Sequence, residues 1–363
     1  MPKDLTDVNQ FETVAVPVGT DSATASSVET PLQTLADRTR FLLFRLMLNF
    51  FADCDLTSVT KTANIYSACY DASTGIFTAG DYDGYTRYST GGLIWDDEGG
   101  GTPTGPNPGT ANPVYDMDSD DNGRRIACAD SGAGDEVFYS TALGTWTACT
   151  ITGTPGLTFH TVASDKGVTG VWLIADTATP SAVYRSTDGI TFSSVTVTGL
   201  TTQIVSILHT GDAANNVWVM LTSTQVAYST DDGATWTVTT HGLSAAPSTG
   251  SLAYDPDTGR FVTLIAGTSN VAYSDDGGAT WNELSSVLPA AGGGGTARRL
   301  VAGNNGRLLA KTGSSSEHCA SGDGGATWEQ VFLPASAGLY REIVHGDGLF
   351  LSVGPTDAQR SLR

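Results

Sequence analysis

One eight-residue turn occurs three times in the C-terminal half of this chain: STDDGATW over 229–236, SDDGGATW over 274–281 and SGDGGATW over 321–328. The closing tryptophans, Trp236, Trp281 and Trp328, lie 45 and 47 residues apart. A near-constant period of this length describes stacked units, none of which buries a core alone. The composition of the turn follows from its chemistry. Gly233, Gly278 and Gly325 provide backbone free of a Cβ constraint. Asp231, Asp276 and Asp323 can accept hydrogen bonds from turn amides, and Ser229, Ser274 and Ser321 can do so more weakly. Each tryptophan opens the next strand and buries a large ring against the neighbouring unit. All twelve residues are therefore read as structural.

The octet S-x-D-x-G-x-T-W resembles the Asp-box, or BNR repeat, of sialidase-like β-propellers. That resemblance implies boxes at the outer rim, away from any catalytic centre. Weaker copies run towards the N-terminus and end at Phe192, Trp146 and Trp95. The aromatic series has six members. Hairpin turns rich in Gly, Asp and Asn precede the boxes, with apolar runs on either side. They occur near Gly75, Gly123, Gly167, Asp212, residues 255–259, Gly306 and Gly348, which makes seven. The sequence 358–363 aligns with 183–186 and ends where a box would begin. The expected fold class is all-β: a seven-bladed propeller with Asp-box turns over 53–363, plus a short N-terminal α-helical segment. The last blade is expected to borrow its outer strand from the chain start, with residues 55–60 as donor, which leaves no raw sheet edge. The alternative is a six-bladed ring with residues 335–363 as an appendage.

Composition narrows the partners. The formal charge is −20, from 38 acids and 18 bases, and only four of the bases are lysine. Neutralising nucleic-acid phosphates takes a basic surface, so nucleic acid is excluded as a partner, and an anionic membrane for the same reason. Residues 41–51 are apolar but interrupted by Arg45 and too short to span a bilayer, so no membrane insertion is expected. Nothing after Met1 resembles a secretory leader. Five scattered cysteines without zinc spacing read as buried thiols made in a reducing cytoplasm, with Cys54–Cys69 and Cys128–Cys149 the conceivable pairings.

Residues 1–52 stand outside the repeat. Thr30 and Pro31 read as an N-cap and first helical position. Leu32, Leu35, Ala36, Leu42, Leu43, Leu46, Met47 and Phe50 then recur at helical spacing, predicting a helix over about 31–51. A helix this apolar has to bury itself against something. Residues 11–42 are similar to a segment common in bacteriophage tail-fibre and related virion proteins, in which an extended stretch precedes a P-L-x-x-L-A-[DN]-R-T-x-x-L helix. Pro31, Leu32, Leu35, Ala36, Asp37, Arg38, Thr39 and Leu42 match that pattern. The resemblance implies attachment to other virion proteins through residues 1–52, a homo-oligomer with a trimer favoured, and a virion protein assembled in the host cytoplasm.

No catalytic constellation emerges. Sialidases resemble one another in an arginine triad and an R-I-P motif; here the nearest approach is Arg125-Ile126-Ala127, and no catalytic residue is assigned. Acidic loops on the face opposite the boxes offer a sugar-binding patch instead, with tyrosine faces stacking on pyranose rings and carboxylates accepting hydroxyls. The ligand-binding candidates are Asp81, Tyr82, Asp83, Tyr85, Asp130 and Asp135. Asp96, Asp97, Glu98 and Glu136 lie in the same acidic sector, which otherwise reads as a solvated rim. The stretch 118–123 begins like a calcium loop, but Ala129 stands where the bidentate glutamate belongs, so it is read as an acidic turn and no metal is expected. His160, His209 and His345 fall on or near inner strands of separate blades, as core or channel-lining residues. No cofactor motif is present. Residues 99–109 read as a surface excursion.

Together these features describe a phage structural protein, a tail fibre, spike or similar appendage. It would display a propeller that binds a host-surface glycan or protein without chemistry. The alternatives are a virion-associated glycoside hydrolase and a purely structural baseplate or decoration subunit.

Overall fold

The computed structural model describes residues 51–361 apart from 60–63, 99–103, 107, 110–111, 131–135, 154–157, 290–298, 312–316, 333–341 and 355–357. Six sheets are each formed by four consecutive antiparallel strands. Their inner strands are Ile65–Asp71, Val114–Ser119, Phe159–Ser164, Ile204–His209, Ala253–Asp255 and Arg299–Ala302. A further sheet is composite: Glu342–Gly346, Leu349–Val353 and Ala358–Ser361 are completed by Phe51–Asp53, from the other end of the described chain. The inner strands touch in sequence, and Glu342–Gly346 returns to Ile65–Asp71, so the sheets stand in a closed ring.

The core lies between the sheets. The second strands Arg125–Ala129, Trp172–Asp176, Trp218–Thr222 and Leu349–Val353 are buried along their whole length, because each has a sheet on either side. Such strands carry near-continuous apolar runs where an exposed strand would alternate. Each apolar cluster joins two adjacent sheets. Leu173 and Val183 meet Trp218 and Met220, for example, and Leu351 and Val353 meet Phe77 and Trp95 across the ring closure.

A repeated register underlies this packing. Phe77, Trp172, Trp218, Phe261 and Leu308 each stand first or second in a second strand, opposite a third-strand serine, namely Ser89, Ser186, Ser229, Ser274 and Ser321. In the composite sheet Phe350 N donates to Ser361 Oγ at 2.9 Å. The second blade substitutes Arg125, opposite Ser140. Its guanidinium is buried in an ion pair with Glu98 and lies 5.3 Å from the centre of the Trp146 ring. The charge is thus compensated as burial requires.

The expected fold class needs correction in three respects. The described residues hold no α-helix; their one helical element is the 3-10 turn Ala213–Asn215. The helix expected over 31–51 falls outside the described residues save for Phe51, which is β. The propeller has six blades where seven are expected: only the six sheets with consecutive strands are blades, and the remaining sheet is composed from both ends of the described chain. The closing strand is also Phe51–Asp53, while Asp55–Ser58 runs parallel to Ile94–Asp97 on the outside of the first blade. The chain changes sheets at one residue: Cys54 N bonds to Ala358 O at 2.9 Å and Asp55 N to Leu93 O at 2.7 Å. A second outer strand, Thr150–Thr152, lies parallel to Thr191–Val195 on the third blade.

Candidate binding channel

A cavity of about 910 Å³ occupies the centre of the ring, lined by inner strands of six sheets and, on the remaining side, by Thr249, Gly250 and Leu252 just before Ala253–Asp255. These strands start at the linkers between blades and end at the first hairpin turns. The channel therefore has one mouth among the inter-blade and second-to-third-strand loops, and another among the hairpins.

Four inner strands carry a β-bulge at the inter-blade end. Their pairing slips between Ile65 and Ser67, between Val114 and Asp116, between Phe159 and Thr161, and between Ile204 and Ser206. A bulge breaks the two-residue alternation of a strand and re-aims side chains. The first three skipped residues are Tyr66, Tyr115 and His160, and all three line the channel. The Tyr115 and His160 rings stack with centroids 3.7 Å apart, and Tyr66 meets Tyr82 at 5.7 Å. The bulge also lets Asp116, next to Tyr115, share the channel wall.

Arg299 braces this mouth. Its Nε donates to Glu342 Oε2 at 2.8 Å, Nη1 to Thr249 O at 3.4 Å and Nη2 to Tyr66 O at 3.4 Å. Gly250, at φ +66°, makes room: a Cβ there would lie 1.6 Å from Arg299 Nη1. The Glu342 carboxylate holds the Arg299 guanidinium above its usual range, and burial pushes Glu342 itself up. Asp116 Oδ2 accepts Val162 N of the next blade at 3.0 Å, and Oδ1 accepts its neighbour Met117 N at 3.1 Å. Burial raises its carboxyl to about 7, with the Arg299 charge opposing the shift. Burial also lowers His160, whose Nε2 is buried without a hydrogen-bond partner.

The hairpin end differs. Lys166 pairs with Asp118 and also donates to Ser119 O at 3.0 Å. His345 packs on Phe350, and burial lowers it to about 4.

The residues singled out from sequence take several places. Asp81 is buried, and its Oδ1 accepts both Asp83 N and Tyr85 N at 2.9 Å. Burial raises its carboxyl to about 6, and Arg87 lies 4.0 Å away. It thus holds the turn that presents Tyr82, which is 39% exposed and reaches the mouth through Tyr66. Asp83, Tyr85 and Asp130 are half-buried in loops, and Asp135 lies outside the described residues. Asp118, read as part of an acidic turn, accepts Ser164 N of the adjacent blade at 2.7 Å through Oδ2. Arg125 sits between blades, away from the channel. None of the five cysteines forms a disulfide.

The octet turns form one repeated network outside the channel. Asp276 Oδ1 accepts Ser274 Oγ at 2.8 Å and Thr280 N at 2.9 Å, Ser274 Oγ accepts Gly278 N at 2.9 Å, and Trp281 Nε1 donates to Gly278 O at 3.0 Å. Asp231 and Asp323 do the same with Ser229, Gly233 and Trp236, and with Ser321, Gly325 and Trp328.

The mouth residues Tyr115, Asp116, Arg299 and Glu342 carry no local motif. The inner-strand position of His160 was legible in sequence; the bulges that aim its neighbours were not.

No protein-family model and no curated protein sequence matches this chain. Solved structures do. YCF48 bound to a D1 peptide superposes with a TM-score of 0.61 at 14% identity, covering 86% of this chain and 97% of that one. Streptogramin B lyase gives 0.66 at 12% identity, covering 86% and 96%. A catalytically inactive virginiamycin B lyase from Staphylococcus aureus with quinupristin gives 0.66 at 11%, covering 86% and 99%. At these identities the likeness is one of fold. The chain is a β-propeller.

Proposed function

We propose that this protein is a structural component of a phage particle, a tail fibre, spike or similar appendage, whose propeller binds a host-surface glycan at the inter-blade mouth of its channel. Two features of the sequence support the particle assignment: the tail-fibre-like pattern within residues 11–42, and the order of attachment segment first and β-rich domain last. The octets support an Asp-box propeller. In this reading residues 1–52 dock to other virion proteins and assemble the chain into an oligomer, with a trimer favoured.

The observation that carries the binding role is the mouth itself. Three aromatic side chains, Tyr66, Tyr115 and His160, are aimed there by bulges, beside polar groups held in fixed positions. Aromatic faces with a few placed polar groups form a usual sugar-binding surface. Binding without chemistry is favoured because Glu342 is committed to Arg299, and each oxygen of Asp116 accepts a main-chain amide.

Changing Tyr66 and Tyr115 together to alanine tests this reading. Purified protein should lose adhesion to host cells while keeping its melting temperature within a few degrees. Full adhesion by the folded variant would refute the site. New reducing ends in host polysaccharide incubated with the wild type would favour the hydrolase.

A further inference from the structure

The charges along the channel are unevenly matched. Its wall carries five acids, Asp116, Asp118, Asp121, Glu342 and Asp347, and two bases, Lys166 and Arg299. Both bases are already engaged, Lys166 with Asp118 and Arg299 with Glu342. Among the described residues no Lys or Arg lies within ion-pair distance of Asp116. Asp116 instead spends one acceptor direction of each oxygen on main-chain amides, and a carboxylate has about four such directions. It therefore keeps acceptor capacity on the channel wall, beside the stacked Tyr115 and His160 rings.

Resting on the glycan-binding reading above, we infer that the ligand is a glycan bearing a free primary amine, whose ammonium group is held by Asp116 beside Tyr115 and His160. A carboxylate and aromatic faces together suit a cation, since the face of an aromatic ring is its negative region. Ammonium has three donors, enough for Asp116 and two further acceptors. Arg299, held by Glu342 and two carbonyls, cannot swing over to neutralise Asp116 without giving up those contacts. An N-acetylated or neutral sugar offers no charge to match.

Calorimetric titration of the full-length protein with a glucosamine tetramer, its fully N-acetylated counterpart and cellotetraose tests the inference. The amine-bearing tetramer should bind at least tenfold more tightly than either of the others. Asp116→Asn should abolish that preference while leaving the weaker neutral binding in place. Comparing ligands needs no mutation, so the test survives a variant that fails to fold. Equal affinity for all three, lost in Tyr115→Ala, overturns the amine and leaves the glycan site standing. No binding of any tetramer overturns the inference; if adhesion also persists without Tyr66 and Tyr115, the site reading falls with it. Tighter binding of an oligolysine peptide than of the glucosamine tetramer overturns the glycan in favour of a protein partner.

Discussion

Arg299 and Glu342 face each other inside the channel, with Nε 2.8 Å from Oε2, and join the inner strands of two neighbouring sheets. Arg299→Ala strands a buried carboxylate, which should lower unfolding stability by about 2–4 kcal/mol in urea titrations. Arg299→Lys keeps the charge but gives up the reach to both Thr249 and Tyr66. It should fall between the two, and a loss equal to that of alanine would show that the carbonyl contacts dominate.

The acid at the mouth makes stability depend on pH. The folded protein holds Asp116 at about 7, above the unfolded value near 3.9. The fold therefore binds this proton more tightly, and the Asp116 contribution to stability declines as pH rises from about 4 to about 7. Asp116→Asn keeps only one accepting oxygen for the two main-chain amides, so it should melt below the wild type at pH 4, and the gap should narrow as pH rises to 8.

The octet turns respond in the opposite sense. Hydrogen bonds from Thr280 and Ser274 outweigh desolvation at Asp276 and hold its carboxyl below the ordinary range. Its stabilisation is present at neutral pH and is lost as pH falls through that depressed value. Asp276→Ala should cost about 1–2 kcal/mol at pH 7, by analogy with lost helix caps. The gap to wild type should narrow in acid, and cell adhesion measured well below the melting temperature should not change.

Two sheets approach closely at Gly346, where a Cβ would lie 2.1 Å from Cγ of Tyr70. The Tyr70 ring is also packed on Phe77, with centroids 4.5 Å apart. Gly346→Ala should lower stability by about 1–3 kcal/mol, as overpacked cores do. Adding Tyr70→Ala should restore part of that loss; strict additivity of the two changes would argue against the clash.

Removing residues 358–363 deletes the strand that pairs with Phe51–Asp53. Two strand edges would then be bare. The melting temperature should drop by roughly 5 °C or more, on the scale of a few kcal/mol in a large domain. An unchanged value would show that the composite sheet does not seal the ring.

Much of the scaffold was legible in sequence because its devices are local. The serines at 89, 140, 186, 229, 274, 321 and 361 recur at one position of the repeat, and all are buried. The octet hydrogen bonds span four residues or fewer, so residue type and spacing suffice to anticipate them. The closing strand was misplaced by a few residues, since both 51–53 and 55–58 are β and only the pairing partner distinguishes them. Asp81 sits in sequence among residues that suggest a sugar patch, but its carboxylate turns inward to hold Asp83 N and Tyr85 N.

The candidate site obeys another rule. Arg299 meets Tyr66 O across 233 residues of chain, and Asp116 meets Val162 N across 46. Such contacts exist only once the ring has closed. Bulges decide which side chains face the channel, and a bulge leaves no mark in hydrophobic periodicity. The sequence by itself determined the repeating sheets and their turns, because neighbours in the chain make those bonds. The tertiary structure alone decided what stands at the channel mouth, because that wall is assembled from strands supplied by separate sheets.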